Sequence, residues 1–251
     1  SQVLPVTNPK LWSIETPHLH KLVTTLTSNG AVVDRYETTF GIRSIRFDAN
    51  EGFFLNGKHV KLKGTNNHQD HAGVGAAIPD ALQEFRIAKL KEFGCNLYRA
   101  SHNPPTPELL DACDRLGMLL IDENRLMGTT DFHHDHLRRM IQRDRNHPCV
   151  ILWSVGNEEW KIEGSDLGKR IGSTMQRWTK QLDPTRPVTV AISGGWGGGL
   201  SEVIEVAGIN YLDNMKKGGF TTDQWHARRP AQPLIGTEEC AFNQTRGIYF
   251  D

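Results

Sequence analysis

The sequence has no surplus of either charge: among its 251 residues, 29 Lys and Arg face 29 Asp and Glu. A chain without a net field does not draw in nucleic acid or an anionic membrane surface, so neither is expected as a partner. No apolar run approaches the roughly 20 residues of a membrane-spanning helix. Ser1 to Lys10 lacks both the charged start and the apolar centre of a signal peptide. Cysteine is scarce, and Cys95, Cys113, Cys149 and Cys240 are scattered with no Cys-x-x-Cys pair, which reads as reduced residues packed in the core. There is no repeat at solenoid spacing and no low-complexity linker, and the glycine cluster Gly194 to Gly199 reads as a short flexible loop.

What is present is enough apolar residue, 37%, for a sizeable core, in one large domain or a medium one plus a small one. Residues 19–47 alternate in period two through Leu22-Val23-Thr24-Thr25-Leu26, turn at Asn29-Gly30 and return through Val32 to Tyr36, which predicts a β-hairpin. A second hairpin is predicted from Phe53 to Val60 around Asn56-Gly57. From Lys61 the pattern changes to short apolar strands, at 61–64, 96–99, 118–122, 149–153, 187–191, 206–211 and 233–237. Helical stretches fall between them, near 80–93, 105–116, 131–145, 165–182, 199–205 and 221–228. This is the α/β pattern of a (β/α)8 TIM barrel, which takes eight strands and about 250 residues. Residues 61–251 supply 191 and seven strands, so the expectation is a barrel truncated before its eighth strand, with two sheet edges left open.

Two strands run straight into carboxylates. Val150-Ile151-Leu152 leads into Trp153-Ser154-Val155-Gly156-Asn157-Glu158-Glu159, and Pro233-Leu234-Ile235-Gly236-Thr237 leads into Glu238-Glu239. The carboxyl ends of barrel strands are where active sites form, because the βα loops converge there. Two carboxylates at the ends of strands four and seven can face each other across the mouth, although 80 positions separate Glu158 from Glu238. Cleaving a glycosidic bond requires such a pair: one acid protonates the leaving oxygen while the other, ionised, attacks the anomeric carbon. The residues alone leave a plain loop charge as the alternative for each Glu, and do not separate Glu158 from Glu159 or Glu238 from Glu239.

Trp153 to Glu158 and Pro233 to Glu238, taken in order, resemble glycoside hydrolase family 2. So do Leu11-Trp12-Ser13, Phe40-Gly41-Ile42-Arg43, Lys63-Gly64-Thr65-Asn66-Asn67-His68, Asn96 to His102, Cys113 to Gly117 and Ile121-Asp122-Glu123. The resemblance covers nearly the whole chain. It is strongest to the β-galactosidase branch, through Asn67-His68-Gln69-Asp70-His71 and Thr245-Arg246-Gly247-Ile248-Tyr249.

The resemblance implies that residues 1–47 are the C-terminal part of an immunoglobulin-like β-sandwich and that 48–251 form the barrel. It implies Glu158 as general acid/base and Glu238 as nucleophile of a retaining enzyme that releases terminal β-D-galactose. Asn157 would bond the sugar 2-hydroxyl, and His68 and His102 other sugar hydroxyls. Arg99 and Tyr211 would hold Glu238 ionised and oriented, since a cation and a phenol donor both favour the carboxylate. The partner is then a carbohydrate, with homo-oligomer formation left open. Family relatives acting on glucuronides or mannosides share both Glu positions, and a non-catalytic carbohydrate-binding piece is the alternative from another class. Trp153 and Trp196 are candidates for stacking on sugar, with barrel packing and a loop position as their plainer readings.

No cofactor and no metal are expected. Some relatives use a Glu a few residues after the strand-three Asp-Glu as a magnesium ligand, and Met127 stands there; a thioether is a poor ligand for that ion. His133 and His136 could share a helix face as metal ligands, but the segment reads better as the solvated start of a barrel helix.

Overall fold

A computed structural model of the chain describes residues 3–239. Strands β1 (His20–Ser28) and β2 (Ala31–Phe40) pair antiparallel, from His20 opposite Phe40 to Ser28 opposite Ala31. The turn uses left-handed backbone at both Asn29 (φ 51°) and Gly30 (φ 81°), the two-residue geometry that matches strand twist. A three-stranded antiparallel sheet comes next: β3 (Ile45–Asp48), β4 (Gly52–Leu55) and β5 (Lys58–His59). The second predicted hairpin is β4–β5, while the first, expected over residues 19–47, ends at Phe40, and Ile45–Asp48 pairs with β4 instead.

The segment before the barrel is lashed to it. Trp12 is fully buried and donates from Nε1 to the carbonyl of Asp114 at 2.9 Å. Arg43 donates to the carbonyls of Pro148 and Val150 at 2.7 and 2.5 Å. Gly41 lies so close that a Cβ there would sit 2.5 Å from Pro148 Cγ. A cavity of about 470 Å³ remains where the hairpin meets this end of the barrel.

The remaining elements run β6 (Gly64–His68), α1 (Asp80–Glu92), β7 (Leu97–Ser101), α2 (Pro107–Leu116), β8 (Leu119–Glu123), α3 (Asp131–Asp144), β9 (Val150–Asn157), α4 (Asp166–Leu182), β10 (Val188–Ile192), β11 (Val206–Asn210), α5 (Leu212–Lys217), α6 (Thr222–Arg228) and β12 (Leu234–Glu238). The seven strands β6 to β12 are parallel and lie in sequence order, each beside the one before it. Every residue of β7 through β11 is buried, as expected when helices cover one face and the barrel interior fills the other. The sheet curls until its second and seventh strands meet: Arg99 Nη1 of β7 reaches the carbonyl of Thr237 in β12 at 3.3 Å. The fold is a (β/α)8 TIM barrel, and the described residues supply seven of its strands.

Local chemistry explains most boundaries. Pro107 opens α2, and Gly117 closes it in left-handed backbone (φ 72°). Ser165 caps α4 by accepting from Gly168 N at 3.1 Å, and Thr221 with Gln224 forms a capping box on α6.

Two expectations need correction. The first barrel strand lies at Gly64–His68, not 61–64, because Lys61 and Lys63 are tied to the Asn96 side chain (2.9 and 2.8 Å) and pairing starts only at Gly64 opposite Leu97. The helix expected at 199–205 is one 3-10 turn, Gly199–Glu202, pulled in by Leu200 N donating to the Glu163 carbonyl at 2.8 Å. Cys113 and Cys149 are buried and free, and Cys95 is half-buried and free, while Cys240 and the segment Thr245–Tyr249 lie outside the described residues. No helix among the described residues is long and apolar enough to cross a membrane.

Candidate active site

Glu158 and Glu238 each stand at an irregularity in the sheet. Between Ser154 and Asn157, β9 uses three steps where β10 uses two, and between Gly236 and Glu238, β12 uses two steps where β11 uses one. An extra residue of this kind re-aims the side chains beyond it. In a regular strand neighbouring side chains face opposite ways. Here Glu158 has left-handed backbone (φ 51°), so Asn157 and Glu158 both turn into the mouth. Tyr211, with φ 60°, does the same beside Asn210. Positive φ in residues other than Gly and Asn is uncommon, and these are the only two among the described residues.

Five strand ends converge on one network. Arg99, 2% exposed, donates to Glu123 Oε2 from Nε (2.9 Å) and Nη2 (2.6 Å), to Asn157 Oδ1 from Nη2 (2.7 Å) and to Glu238 Oε2 from Nη1 (3.2 Å). Tyr211 donates from its hydroxyl to the other oxygen of Glu238 at 2.9 Å. Burial, then the bonds and charges of Glu238 and Glu158, pushes the Tyr211 phenol above its usual range. His102 Nδ1 lies 2.7 Å from Glu123 Oε1, its Nε2 is 3.9 Å from Glu238 Oε2, and the His68 ring meets the His102 ring edge-on at 5.0 Å. All seven residues singled out by the resemblance are thus gathered here. A cleft of about 890 Å³ opens between β6 and β12, lined in part by Asn66, His68, Arg99 and Glu238.

Asn210 joins the two carboxylates. Its Nδ2 lies 2.7 Å from Glu158 Oε1 and 3.5 Å from Glu238 Oε2, and its Oδ1 accepts from Thr237 Oγ1 at 2.7 Å. Two oxygens held by one nitrogen can be no further apart than the sum of those two distances, 6.2 Å.

The neighbouring acids are turned to other tasks. Glu159 faces Arg125 at 3.6 Å, and Glu239 accepts from Leu212 N at 3.1 Å. Trp153 is barrel packing: it is fully buried and donates to Asp183 Oδ2 at 2.9 Å. Trp196 is half-buried against the core. The glycine segment around it makes contacts at both ends. Glu163, 1% exposed, accepts from Ser193 N and Gly194 N at 3.1 and 2.7 Å, and a Cβ at Gly199 would lie 2.1 Å from the Glu163 carbonyl oxygen. Burial pushes the Glu163 carboxyl up to about 7.

Met127 lies on the backbone of Gly156, where a Cβ would come 2.2 Å from its Cγ. His133 and His136 have separate partners: His133 Nδ1 meets Thr130 Oγ1 at 2.8 Å and His136 Nδ1 meets Asn124 Oδ1 at 2.5 Å. Among the described residues, Asp111, Asp114 and His147 alone bring three candidate metal-ligand atoms within 4.8 Å of one another. Asp114 is already engaged there by His147 Nδ1 (2.6 Å) and Cys149 N (3.0 Å), at the end of the barrel opposite Glu238.

Sequence reasoning missed Glu123, Ser154, Asn210 and Thr237. The available signal was a polar residue inside or closing an apolar strand: Glu123 ends Leu119-Leu120-Ile121-Asp122-Glu123, and Asn210 ends Val206-Ala207-Gly208-Ile209-Asn210.

The chain matches the family description "Glycosyl hydrolases family 2, TIM barrel domain" over residues 48–131 and 128–247, and "Glycosyl hydrolases family 2" over residues 1–43. It is 36% identical to the β-galactosidase BoGH2A of Bacteroides ovatus, covering 99% of this chain and 34% of that protein. Among solved structures, a family 2 member from Bacteroides cellulosilyticus matches with TM-score 0.84 and 38% identity, over 93% of this chain and 32% of that one. A Bacteroides uniformis β-glucuronidase matches with TM-score 0.80 and 32% identity, over 94% and 32%. The chain therefore spans about a third of the length of these relatives. Family profiles that together take in both the hairpin segment and the barrel, and relatives of this similarity, place the chain in glycosyl hydrolase family 2.

Proposed function

We propose that this chain carries the active centre of a retaining glycosidase that releases terminal β-D-galactose from β-galactosides by double displacement. The observation that carries the retaining mechanism is the shared Asn210 amide. Its ceiling of 6.2 Å on the separation of one oxygen pair lies below the roughly 6.5–9.5 Å that an inverting pair needs to admit water.

In the first step Glu158 gives its proton to the glycosidic oxygen while a Glu238 oxygen attacks the anomeric carbon. The bond to the leaving group breaks, giving a glycosyl ester and a free alcohol. In the second step Glu158, now a carboxylate, takes a proton from water as the water oxygen attacks the same carbon. The ester bond breaks, and Glu238 returns as a carboxylate and Glu158 as the acid. Asn157 Oδ1 is engaged by Arg99 (2.7 Å) and Asn210 (3.2 Å), which leaves its Nδ2 to donate to the sugar 2-hydroxyl. His68 and His102 are read as contacts to other hydroxyls of the same sugar. Residues 1–47 are read as the end of an immunoglobulin-like sandwich leading into the barrel at 48.

Galactose is favoured by the similarity to BoGH2A. The B. uniformis likeness supports β-glucuronidase as the second reading. Nitrophenyl glycosides tested on the intact protein separate the two: hydrolysis of the galactoside but not the glucuronide is expected, and the reverse overturns the sugar assignment. A 2-deoxy-2-fluoro galactosyl fluoride should label Glu238, and peptide mapping that finds the label elsewhere overturns the nucleophile.

A further inference from the structure

The Arg99 guanidinium does not belong mainly to the nucleophile. Two of its nitrogens reach Glu123 Oε2, at 2.9 and 2.6 Å, while one reaches Glu238 Oε2, at 3.2 Å. Glu123 is fully buried, and Ser154 Oγ adds a third donor to the same oxygen at 2.9 Å. We propose that Glu123 is a positioning residue, the permanent counter-ion of Arg99, which leaves Glu238 free to change charge during the reaction. The inference rests on reading Glu238 as the nucleophile.

The physical need is specific. When Glu238 becomes an ester, its negative charge is gone, yet Arg99 stays cationic and 98% out of water. A buried cation that loses its only anion is strongly disfavoured. Glu123 removes that cost from the covalent intermediate, because its two bonds to Arg99 do not depend on the state of Glu238. In the free enzyme it has a second effect. By taking two of the Arg99 contacts, Glu123 limits Glu238 to a single longer one, so the attacking oxygen is less masked than in a two-bond ion pair. The second oxygen of Glu123 holds His102 Nδ1 at 2.7 Å, so the same carboxylate also fixes the ring that stands beside the nucleophile.

The test is made on the intact protein with Glu123→Gln, Glu123→Asp and Ser154→Ala. In Glu123→Gln, Arg99 turns fully to Glu238, and three outcomes are expected. Labelling of Glu238 by the 2-fluoro reagent slows at least tenfold. The acid limb of kcat/KM moves down by about one pH unit, since the carboxylate is now better stabilised. Hydrolysis of the glycosyl-enzyme, which restores the Glu238 anion, is spared relative to its formation. Glu123→Asp keeps the charge and should recover part of the labelling rate. Ser154→Ala, which removes one donor from a folded site, should leave the acid limb where it is in the unaltered protein. If Glu123→Gln does not fold, Glu123→Asp decides: labelling of Glu238 slowed more than hydrolysis of the glycosyl-enzyme supports the proposal, and equal slowing of the two overturns it. Equal slowing of both steps with an unmoved acid limb overturns the proposal and leaves Glu123 a packing residue. A label on a residue other than Glu238 instead overturns the reading on which the proposal stands.

Discussion

Asn210 Nδ2 approaches Glu158 Oε1 at 2.7 Å, the shortest contact that Glu158 makes in the network around the two carboxylates. The same amide faces Glu238 at 3.5 Å, so Asn210 bridges the pair and limits how far those two oxygens stand apart. Replacing it by Ala removes that constraint and should lower kcat/KM about 100-fold, the scale of losing one placed polar contact at a reacting centre. Replacing it by Asp puts a third carboxylate beside two others. Like charges resist ionisation together, so both limbs of the pH profile should move upward. A downward shift would show that Asn210 does not stand between them.

The Tyr211 hydroxyl donates to Glu238 at 2.9 Å, and its ionisation is displaced upward by burial and by the two carboxylates near it. It therefore stays a neutral donor throughout the working range. Tyr211→Phe should reduce kcat by roughly 100-fold and leave the alkaline limb unmoved. Disappearance of that limb in the Phe variant would make Tyr211 the titrating group instead.

Glu163 gives a pH signature in stability that is separate from turnover. Its carboxyl is raised by burial from 4.5 to about 7, so the folded protein holds a proton there that the unfolded chain has already lost. By linkage, the group's contribution to stability falls as pH rises from about 4.5 to about 7 and is flat outside that window. Glu163→Gln cannot titrate. Its unfolding free energy should depend less steeply on pH across this window, whatever its absolute stability. Parallel curves for the two proteins in urea titrations would remove Glu163 as the source.

Much of the barrel was legible because buried parallel strands are written as short apolar runs, as in Val150-Ile151-Leu152 or Val188-Thr189-Val190. Glu158 and Glu238 were legible as strand-end acids. Their distinction from Glu159 and Glu239 was not, because it depends on the two irregular strand steps and one left-handed residue, which no period-two pattern encodes. Gly64-Thr65-Asn66-Asn67-His68 forms a strand with no apolar signal at all, since it lines the cleft instead of the core. Glu123 and Asn210 escaped notice for a related reason. Each is a polar letter closing an apolar word, and its meaning comes from partners 21 to 53 positions away.

The left-handed backbone at Glu158 sets endurance against activity in this molecule. An L-residue held there gives up about 1 kcal/mol that a glycine would not. Glu158→Gly should therefore unfold at higher denaturant concentration than the parent while losing turnover, a pairing that ordinary loss-of-function changes in a core do not produce. A chain selected for robustness alone would drift away from glutamate at this position, so its presence records a demand that stability does not make.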